Sequence, residues 1–118
     1  MISIVDDDES VRNATRTLIR SVGYDVATFA SAEEFLASEQ LHRTACLISD
    51  VQMPGLSGIE LQERLKTGGH QIPIIFITAF PDDRMRDCAM QAGAISFLSK
   101  PFNETHLIDS LDRALKAA

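Results

Sequence analysis

The sequence contains no tryptophan, one tyrosine and only two cysteines among its 118 residues. Cys46 and Cys88 are far apart and lie outside any C-x-x-C motif, so we expect reduced thiols that pack as small hydrophobic groups, as is usual in the cytosol. The sequence has no paired cysteines and no histidine cluster that would indicate a zinc site. It also has no D-x-D-x-D-G loop that would indicate a calcium-binding EF-hand. We therefore expect neither of these metal sites.

Basic residues are few: 11 lysines and arginines face 17 aspartates and glutamates, which gives a net charge of −6. Because they form no stripe, direct binding of nucleic acid by this segment is not expected. No apolar run approaches the roughly 18–20 residues of a membrane span, and the first residues lack the basic-then-apolar pattern of a signal peptide. With 45% hydrophobic and 24% charged residues, the sequence predicts one globular cytoplasmic domain over residues 1–118.

Short apolar segments alternate with amphipathic segments five times along the chain. The predicted strands are residues 1–5, 25–29, 45–50, 72–78 and 94–99. Each following helix begins at a capping residue and most end at a glycine; the caps include Ser31 with Glu34 in capping-box spacing, Ser57, Asp82 or Asp83, and Asn103. This alternation predicts an α/β fold with a parallel sheet that is covered by helices on both faces.

Polar residues end four of the predicted strands. In a parallel sheet all carboxyl ends lie at one edge, where ligands bind, so we expect Asp6 and Asp7, Asp50, Thr78 and Lys100 to face one crevice. Three crowded carboxylates repel one another, and Mg²⁺, which prefers oxygen ligands and retains waters, would relieve that repulsion; Mn²⁺ can take the same place.

These groups are the parts that phosphoryl transfer needs. A cation, a lysine and a hydroxyl can neutralise the charge on phosphoryl oxygens, and a carboxylate can act as nucleophile. Asp50 ends an apolar strand and is followed by the Met53-Pro54-Gly55 turn, which stops both helix and strand. Asp50 is therefore the candidate nucleophile.

Four motifs in order make the chain resemble the receiver domain of two-component response regulators over nearly its whole length. They are Val5-Asp6-Asp7, the segment from Ser49 to Gly55, Ile77-Thr78-Ala79, and the segment from Phe97 to Phe102. The last segment is most similar to receivers of the nitrogen-fixation and nodulation type, which usually precede a DNA-binding helix-turn-helix. The fold implied is the flavodoxin-like doubly wound sheet, order 2-1-3-4-5, with five helices.

The resemblance implies a role for each strand-end residue. Asp50 would accept the phosphoryl group from a sensor histidine kinase. Asp7, Asp50 and the backbone carbonyl of Gln52 would bind Mg²⁺, with Asp6 acting through water. Thr78 and Lys100 would bind the phosphoryl oxygens.

Three further features follow from the same resemblance. The Lys100–Pro101 peptide bond would be cis. Thr78 and Phe97 would be the two switch residues, with Phe97 in the aromatic switch position. Because Phe97 has no hydroxyl, any inward movement of its ring would be driven by burial alone. Gln52 and Phe80 would tune dephosphorylation; because Phe80 is apolar and cannot orient water, we expect a slow loss of phosphate.

Phosphorylation is expected to change the surface of the fourth helix, fifth strand and fifth helix, and so to control homodimerisation or an output domain. The domain would be no enzyme beyond Mg²⁺-dependent self-phosphorylation and slow self-dephosphorylation. The output domain, commonly a transcriptional one, would lie outside this segment. The sequence ends inside a predicted helix, which suggests either a shortened chain or a helix that runs into a linker.

Three alternative functions match the sequence less well. A phosphatase with an aspartate nucleophile normally has a second aspartate two residues later, where this chain has Gln52. A non-phosphorylated scaffold would lack the acid pair or the lysine, and a flavin protein would have a Ser/Thr/Gly-rich loop after the first strand.

The remaining candidate residues receive no functional role. No evident partner is found for the three histidines, His42, His70 and His106. The stripe of Met85, Cys88, Ala89 and Ala92 is interpreted as packing.

Overall fold

The computed structural model describes residues 1–116, in which five strands alternate with five α-helices. The strands are β1 (Ile2–Val5), β2 (Val26–Phe29), β3 (Cys46–Asp50), β4 (Ile74–Thr78) and β5 (Ser96–Ser99). The helices are α1 (Glu9–Ser21), α2 (Ala32–Leu36), α3 (Gly58–Thr67), α4 (Asp83–Gln91) and α5 (Glu104–Lys116), and a 3-10 helix covers Glu39–Arg43. The end of the last predicted helix, residues 117–118, lies outside the described residues.

All five strands are parallel and form one sheet in the order β2-β1-β3-β4-β5. The predicted flavodoxin-like order is therefore confirmed. β1 and β3 lie in the middle of the sheet, in register from Ile2 beside Cys46 to Val5 beside Ser49. Consequently, the loops that follow β1 and β3 are neighbours at the carboxyl edge.

Alternate residues of each strand point to opposite faces of the sheet, and each face has its own buried cluster. Val5, Leu47 and Phe76 belong to the cluster beneath α2, α3 and α4. Ile48 and Ile75 belong to the cluster beneath α1 and α5. A central sheet that is buried on both faces explains why these strands are almost continuously apolar.

Side-chain caps hold the helices that border the carboxyl edge. Asp8 caps α1, Asp82 rather than Asp83 caps α4, and Ser57 forms a complete capping box with Glu60 at the start of α3. At α2 the predicted box is altered, because the Glu34 carboxylate accepts from the Ala30 N–H instead of from the capping residue. Each cap satisfies N–H groups that would otherwise lack partners in the first turn.

Each strand begins one or two residues later than predicted, and one short helix was not predicted. The 3-10 helix at Glu39–Arg43 was missed, because its five residues hold one buried apolar side chain, Leu41, and therefore no periodic pattern. β4 begins at Ile74 rather than at residue 72, since Pro73 has no N–H to contribute to a strand ladder.

The expectation for the cysteines is half wrong. Cys46 is buried in β3 as predicted, but Cys88 is exposed on α4. Only Ala89 is fully buried on this helix, so the apolar stripe that includes Cys88 is wider than the contact that α4 makes with the sheet. Within residues 1–116, no helix is long and apolar enough to cross a membrane.

Candidate functional site

The carboxyl edge of the sheet carries the residues predicted from the strand ends. Asp6 follows β1, Asp50 ends β3, Thr78 ends β4 and Lys100 follows β5. Asp6 and Thr78 are completely buried and Asp50 is nearly so, at 5% exposure. Buried carboxylates require compensation by a cation or by hydrogen bonds.

Lys100 supplies that compensation. Its Nζ lies 3.0 Å from Asp6 Oδ2 and 3.2 Å from Asp50 Oδ2, so one ammonium group contacts both acids. The Lys100 N–H donates to the Thr78 carbonyl at 2.7 Å, and the following Lys100–Pro101 peptide bond is cis. The backbone after β5 is thus tied to the end of β4 while the side chain crosses to β1 and β3.

The loop after β1 is held by the first turns of α1. Asp6 Oδ1 accepts from the Asp8 N–H at 2.9 Å, and the Asp6 carbonyl accepts from Arg12 Nη1 at 2.8 Å. The buried Asp6 Oδ2 contacts Lys100 Nζ at 3.0 Å and has no other donor among the described residues. This oxygen therefore retains capacity for a water or a cation.

Close packing fixes the loop after β3. Gly58, the first residue of α3, donates its N–H to the Val51 carbonyl at 2.8 Å. A Cβ at this position would overlap the backbone carbonyl of Asp50, so only glycine allows α3 to start here. Gly55, with φ of +77°, makes the turn between β3 and α3.

Burial and the charges of the site shift two pKa values. Burial, followed by the nearby charge of Asp6, raises the pKa of Asp50 from 3.8 to about 6, although Lys100 opposes the change. Burial alone would lower the pKa of Lys100, but the carboxylates of Asp6 and Asp50 outweigh it, and the pKa is raised. Lys100 therefore stays charged, and the two acids are not fully neutralised by it.

Three carboxylates at this edge could hold a metal ion. Asp6, Asp7 and Asp50 each offer an oxygen, and these atoms lie within 4.8 Å of one another. Asp7 is exposed while the other two are buried, which leaves an open side for water. An all-oxygen set and the hydrogen-bonding capacity left on Asp6 Oδ2 fit Mg²⁺, which keeps several waters when protein-bound.

The other predicted residues surround this cluster. The Thr78 hydroxyl accepts from the Phe80 N–H at 3.1 Å, and Phe80 itself is 69% exposed. Gln52 is exposed in the turn after β3. Phe97 is partly buried, with its ring centre 6.2 Å from that of Phe76.

Sequence reasoning missed several residues that shape the molecule. Arg12 lies six positions beyond the carbonyl to which it donates, a spacing without a sequence signature. The proximity of His42 to His70 was not predicted either: their ring centres are 5.7 Å apart. The residues between them in sequence include a strand and a helix, so only the fold brings them together.

A five-stranded parallel sheet in this order, with an acid cluster and a lysine at its carboxyl edge, defines a class of signalling domains. The sequence profile described as "Response regulator receiver domain" matches residues 2–112. The chain belongs to this family: it is a receiver domain of two-component signal transduction.

Individual relatives agree with this assignment. The chain is 45% identical over 118 residues to the response regulator protein TodT of Pseudomonas putida, covering 100% of this chain and 52% of that protein. It is 45% identical over 111 residues to nodulation protein W of Bradyrhizobium diazoefficiens, covering 94% of this chain and 49% of the relative. The chain therefore spans about half the length of these curated relatives.

Solved structures show the same fold. The crystal structure of FixJ-N superposes with a TM-score of 0.88 at 37% identity, covering 99% of this chain and 94% of that one. The response regulator StyR superposes with a TM-score of 0.91 at 48% identity, covering 98% of this chain and 59% of that one. The flavodoxin-like receiver fold is thus common to proteins of moderate sequence identity.

Proposed function

We propose that this receiver accepts a phosphoryl group on Asp50 from the phosphohistidine of a sensor histidine kinase. One observation carries the proposal: Lys100 Nζ lies against both Asp6 and Asp50, at the edge where the three carboxylates meet. The cation is thus adjacent to a nucleophile and to a candidate metal site. These are the components of an aspartyl-phosphate site.

In the transfer, an Asp50 carboxylate oxygen attacks phosphorus and the N–P bond of the phosphohistidine breaks, with its electron pair returning to the imidazole. Lys100 exchanges part of its contact with Asp50 for a phosphoryl oxygen and keeps its contact with Asp6. When bound through Asp7, Asp50 and the Gln52 carbonyl, with Asp6 acting through water, Mg²⁺ or Mn²⁺ would offset the charge on the transferred group. The chain itself supplies nucleophile and lysine; it is a phosphoacceptor rather than a phosphatase, since Gln52 cannot serve as a general acid.

The conformational response is proposed to pass from Thr78 to Phe97. Phe97 lies beside Phe76 in the strand register, and Thr78 is two residues beyond Phe76. Side chains two apart in a strand share a face, so Thr78 and Phe97 are diagonal neighbours on one side of the sheet. If Thr78 turns toward the phosphoryl oxygens, it vacates space into which the partly buried Phe97 ring can move.

The consequence would be a changed surface on α4, β5 and α5. α4 is suited to such a change because only Ala89 among its residues is fully buried. The altered surface would control homodimerisation or an output domain in the cytoplasm. A transcriptional output is favoured by a relative named transcriptional regulatory protein FixJ, from Rhizobium meliloti, at 40% identity over 113 residues.

Phosphorylation is tested with acetyl phosphate as donor. Intact mass is measured with and without Mg²⁺ for the wild type, for Asp50→Asn, and for Asp87→Asn as an exposed carboxylate control. The proposal expects one added phosphoryl group in the wild type and in Asp87→Asn, only with Mg²⁺, and none in Asp50→Asn. Phosphorylation of Asp50→Asn at the wild-type rate would refute it.

The switch needs a separate test. Amide NMR shifts of the phosphorylated wild type are compared with those of phosphorylated Phe97→Ala. We expect equal phosphorylation but smaller shift changes in α4 and β5 of the variant. Shift changes of the same size in both proteins would show that Phe97 carries no part of the response.

A further inference from the structure

We infer that His42 and His70 form a second metal site, for divalent ions that prefer imidazole, such as Zn²⁺, Ni²⁺ and Cu²⁺. The two ring centres are 5.7 Å apart and the ring planes are inclined by 51°. The inference does not depend on phosphorylation of Asp50 and concerns a different part of the molecule.

The two histidines lie at the amino edge of the sheet. His42 belongs to the 3-10 helix that precedes β3, and His70 lies in the connection between α3 and β4. β3 and β4 are hydrogen-bonded neighbours that run parallel, so the segments leading into them approach each other at the edge opposite to Asp50. An ion at this position would join the α2–β3 connection to the α3–β4 connection.

The segment that carries His42 is held by several contacts. Leu41, beside it, is 8% exposed, and the Ser38 hydroxyl caps the 3-10 helix by accepting from the Gln40 N–H. Thr44 donates to the Gln40 carbonyl at 2.7 Å and contacts the Ser3 hydroxyl, also at 2.7 Å. The exposed His42 ring therefore projects from an ordered backbone.

His70 is also positioned by its surroundings. Its N–H donates to the Leu65 carbonyl at 2.9 Å, and its half-buried ring lies over Gly68 at the end of α3. A Cβ at Gly68 would lie only 3.2 Å from the ring. Because the backbone at both histidines and the half-buried His70 ring are ordered before an ion arrives, binding mainly has to order the exposed His42 ring.

The geometry suits a shared ion. Metal–nitrogen bonds of about 2.0–2.1 Å place two imidazole centres that share one ion roughly 5 Å apart. The observed 5.7 Å exceeds this value by less than about 1 Å, a gap that rotation of the exposed His42 ring can close. Across residues 1–116 neither ring engages in a hydrogen bond or an ion pair, so its nitrogens are available.

The ligand chemistry distinguishes this pair from the acid cluster. Imidazole nitrogen selects Zn²⁺, Ni²⁺ or Cu²⁺, whereas carboxylates and water suit Mg²⁺. Glu39 lies three residues before His42, which in a 3-10 helix places both side chains on the same face. Two imidazole nitrogens and water molecules would then make up the coordination.

Calorimetric titration with Ni²⁺ tests the inference, in buffer with excess Mg²⁺ to occupy the acid cluster. The variants are His42→Asn and His70→Asn, with His106→Asn on α5 as a matched histidine control and Asp50→Asn as a control for binding at the carboxyl edge. We expect one ion per chain, with the dissociation constant raised at least about tenfold in each of the first two variants and unchanged in both controls.

A second measurement uses only the wild-type protein. Imidazole NMR signals are followed during a Zn²⁺ titration, and those of His42 and His70 should change together while those of His106 do not. The inference is overturned if His42→Asn and His70→Asn bind Ni²⁺ as tightly as the wild type. It is equally overturned if binding disappears in Asp50→Asn, or if the two imidazoles respond at different Zn²⁺ concentrations.

Discussion

Lys100 Nζ lies 3.2 Å from Asp50 Oδ2, although the two residues are 50 positions apart in the sequence. The same nitrogen contacts the fully buried Asp6, so the lysine joins the ends of β1 and β3 from its place after β5. The order of the strands in the sheet makes this contact possible. It concentrates two acids, one cation and a candidate metal site at a single edge.

Replacement of this lysine should destabilise the fold. In Lys100→Met the two buried carboxylates face each other without the ammonium, and an uncompensated buried charge is costly. We expect the free energy of unfolding, measured by urea denaturation at pH 7 in the presence of a chelator, to be lower by about 1–3 kcal/mol. Lys116→Met, an exposed control, should change it by less than about 0.5 kcal/mol. Equal stability of Lys100→Met and the wild type would contradict the proposed compensation.

Asp50 should make stability depend on pH in the absence of metal. Its pKa of about 6 in the folded protein exceeds the ordinary 3.8, so the folded state retains the proton where the unfolded state has lost it. Stability contributed by the protonated carboxyl is therefore lost as the pH rises from about 4 to about 6. Above this range Asp50→Asn should be more stable than the wild type by roughly 2–3 kcal/mol.

Urea denaturation measures this difference between Asp50→Asn and the wild type, at pH values from about 4 to about 7.5 and in the presence of a chelator. The difference should increase with pH up to about 6 and then level off. Saturating Mg²⁺ should reduce or reverse it, because a bound cation favours the ionised carboxylate. A difference that is constant with pH would show that Asp50 ionises normally.

Phe80 should prolong the life of the phosphorylated state. Its side chain is 69% exposed beside Thr78 and offers no group that could orient an attacking water. Phe80→Asn and Phe80→Glu should lose phosphate several-fold faster in a decay followed by intact mass. Met90→Asn changes a different exposed apolar side chain, on α4, and its phosphate should be lost at the wild-type rate. Decay of both Phe80 variants at that rate would rule out the effect.

The two thiols should differ sharply in reactivity. Burial raises the pKa of Cys46 to about 12 and leaves its side chain inaccessible, whereas Cys88 is exposed. Ellman's reagent at pH 8 should therefore titrate one thiol in the native protein and two in denaturant, and none in native Cys88→Ser. Rapid reaction of both native thiols would mean that β3 opens readily.

Local patterns were sufficient to predict a parallel α/β sheet, whereas its strand order was predicted from the resemblance to receiver domains. Apolar runs, caps and stop signals marked all five strands and helices, and the alternation of strand and helix required a parallel sheet. Since the carboxyl ends of parallel strands share one edge, Asp6, Asp50 and Lys100 could be grouped without coordinates. Their contacts confirm that grouping, while the functional roles of these residues stay predictions.

Features that depend on tertiary packing were not predictable in the same way. Periodicity marks the apolar side of α4 but not the width of its contact, which is why Cys88 was wrongly taken as buried. The 3-10 helix at Glu39–Arg43 has no repeat to detect. The approach of His42 to His70 follows from the pairing of β3 with β4, which no local pattern encodes.

The site of the phosphoryl group is the central claim, and chemical trapping locates it directly. The protein is phosphorylated with acetyl phosphate and Mg²⁺ and treated with borohydride, which reduces an aspartyl phosphate to homoserine. Peptide mass spectrometry then identifies the converted residue. We predict homoserine at position 50 and unmodified aspartate at Asp6, Asp7 and Asp8. Conversion at any of those three, with Asp50 intact, would contradict the account.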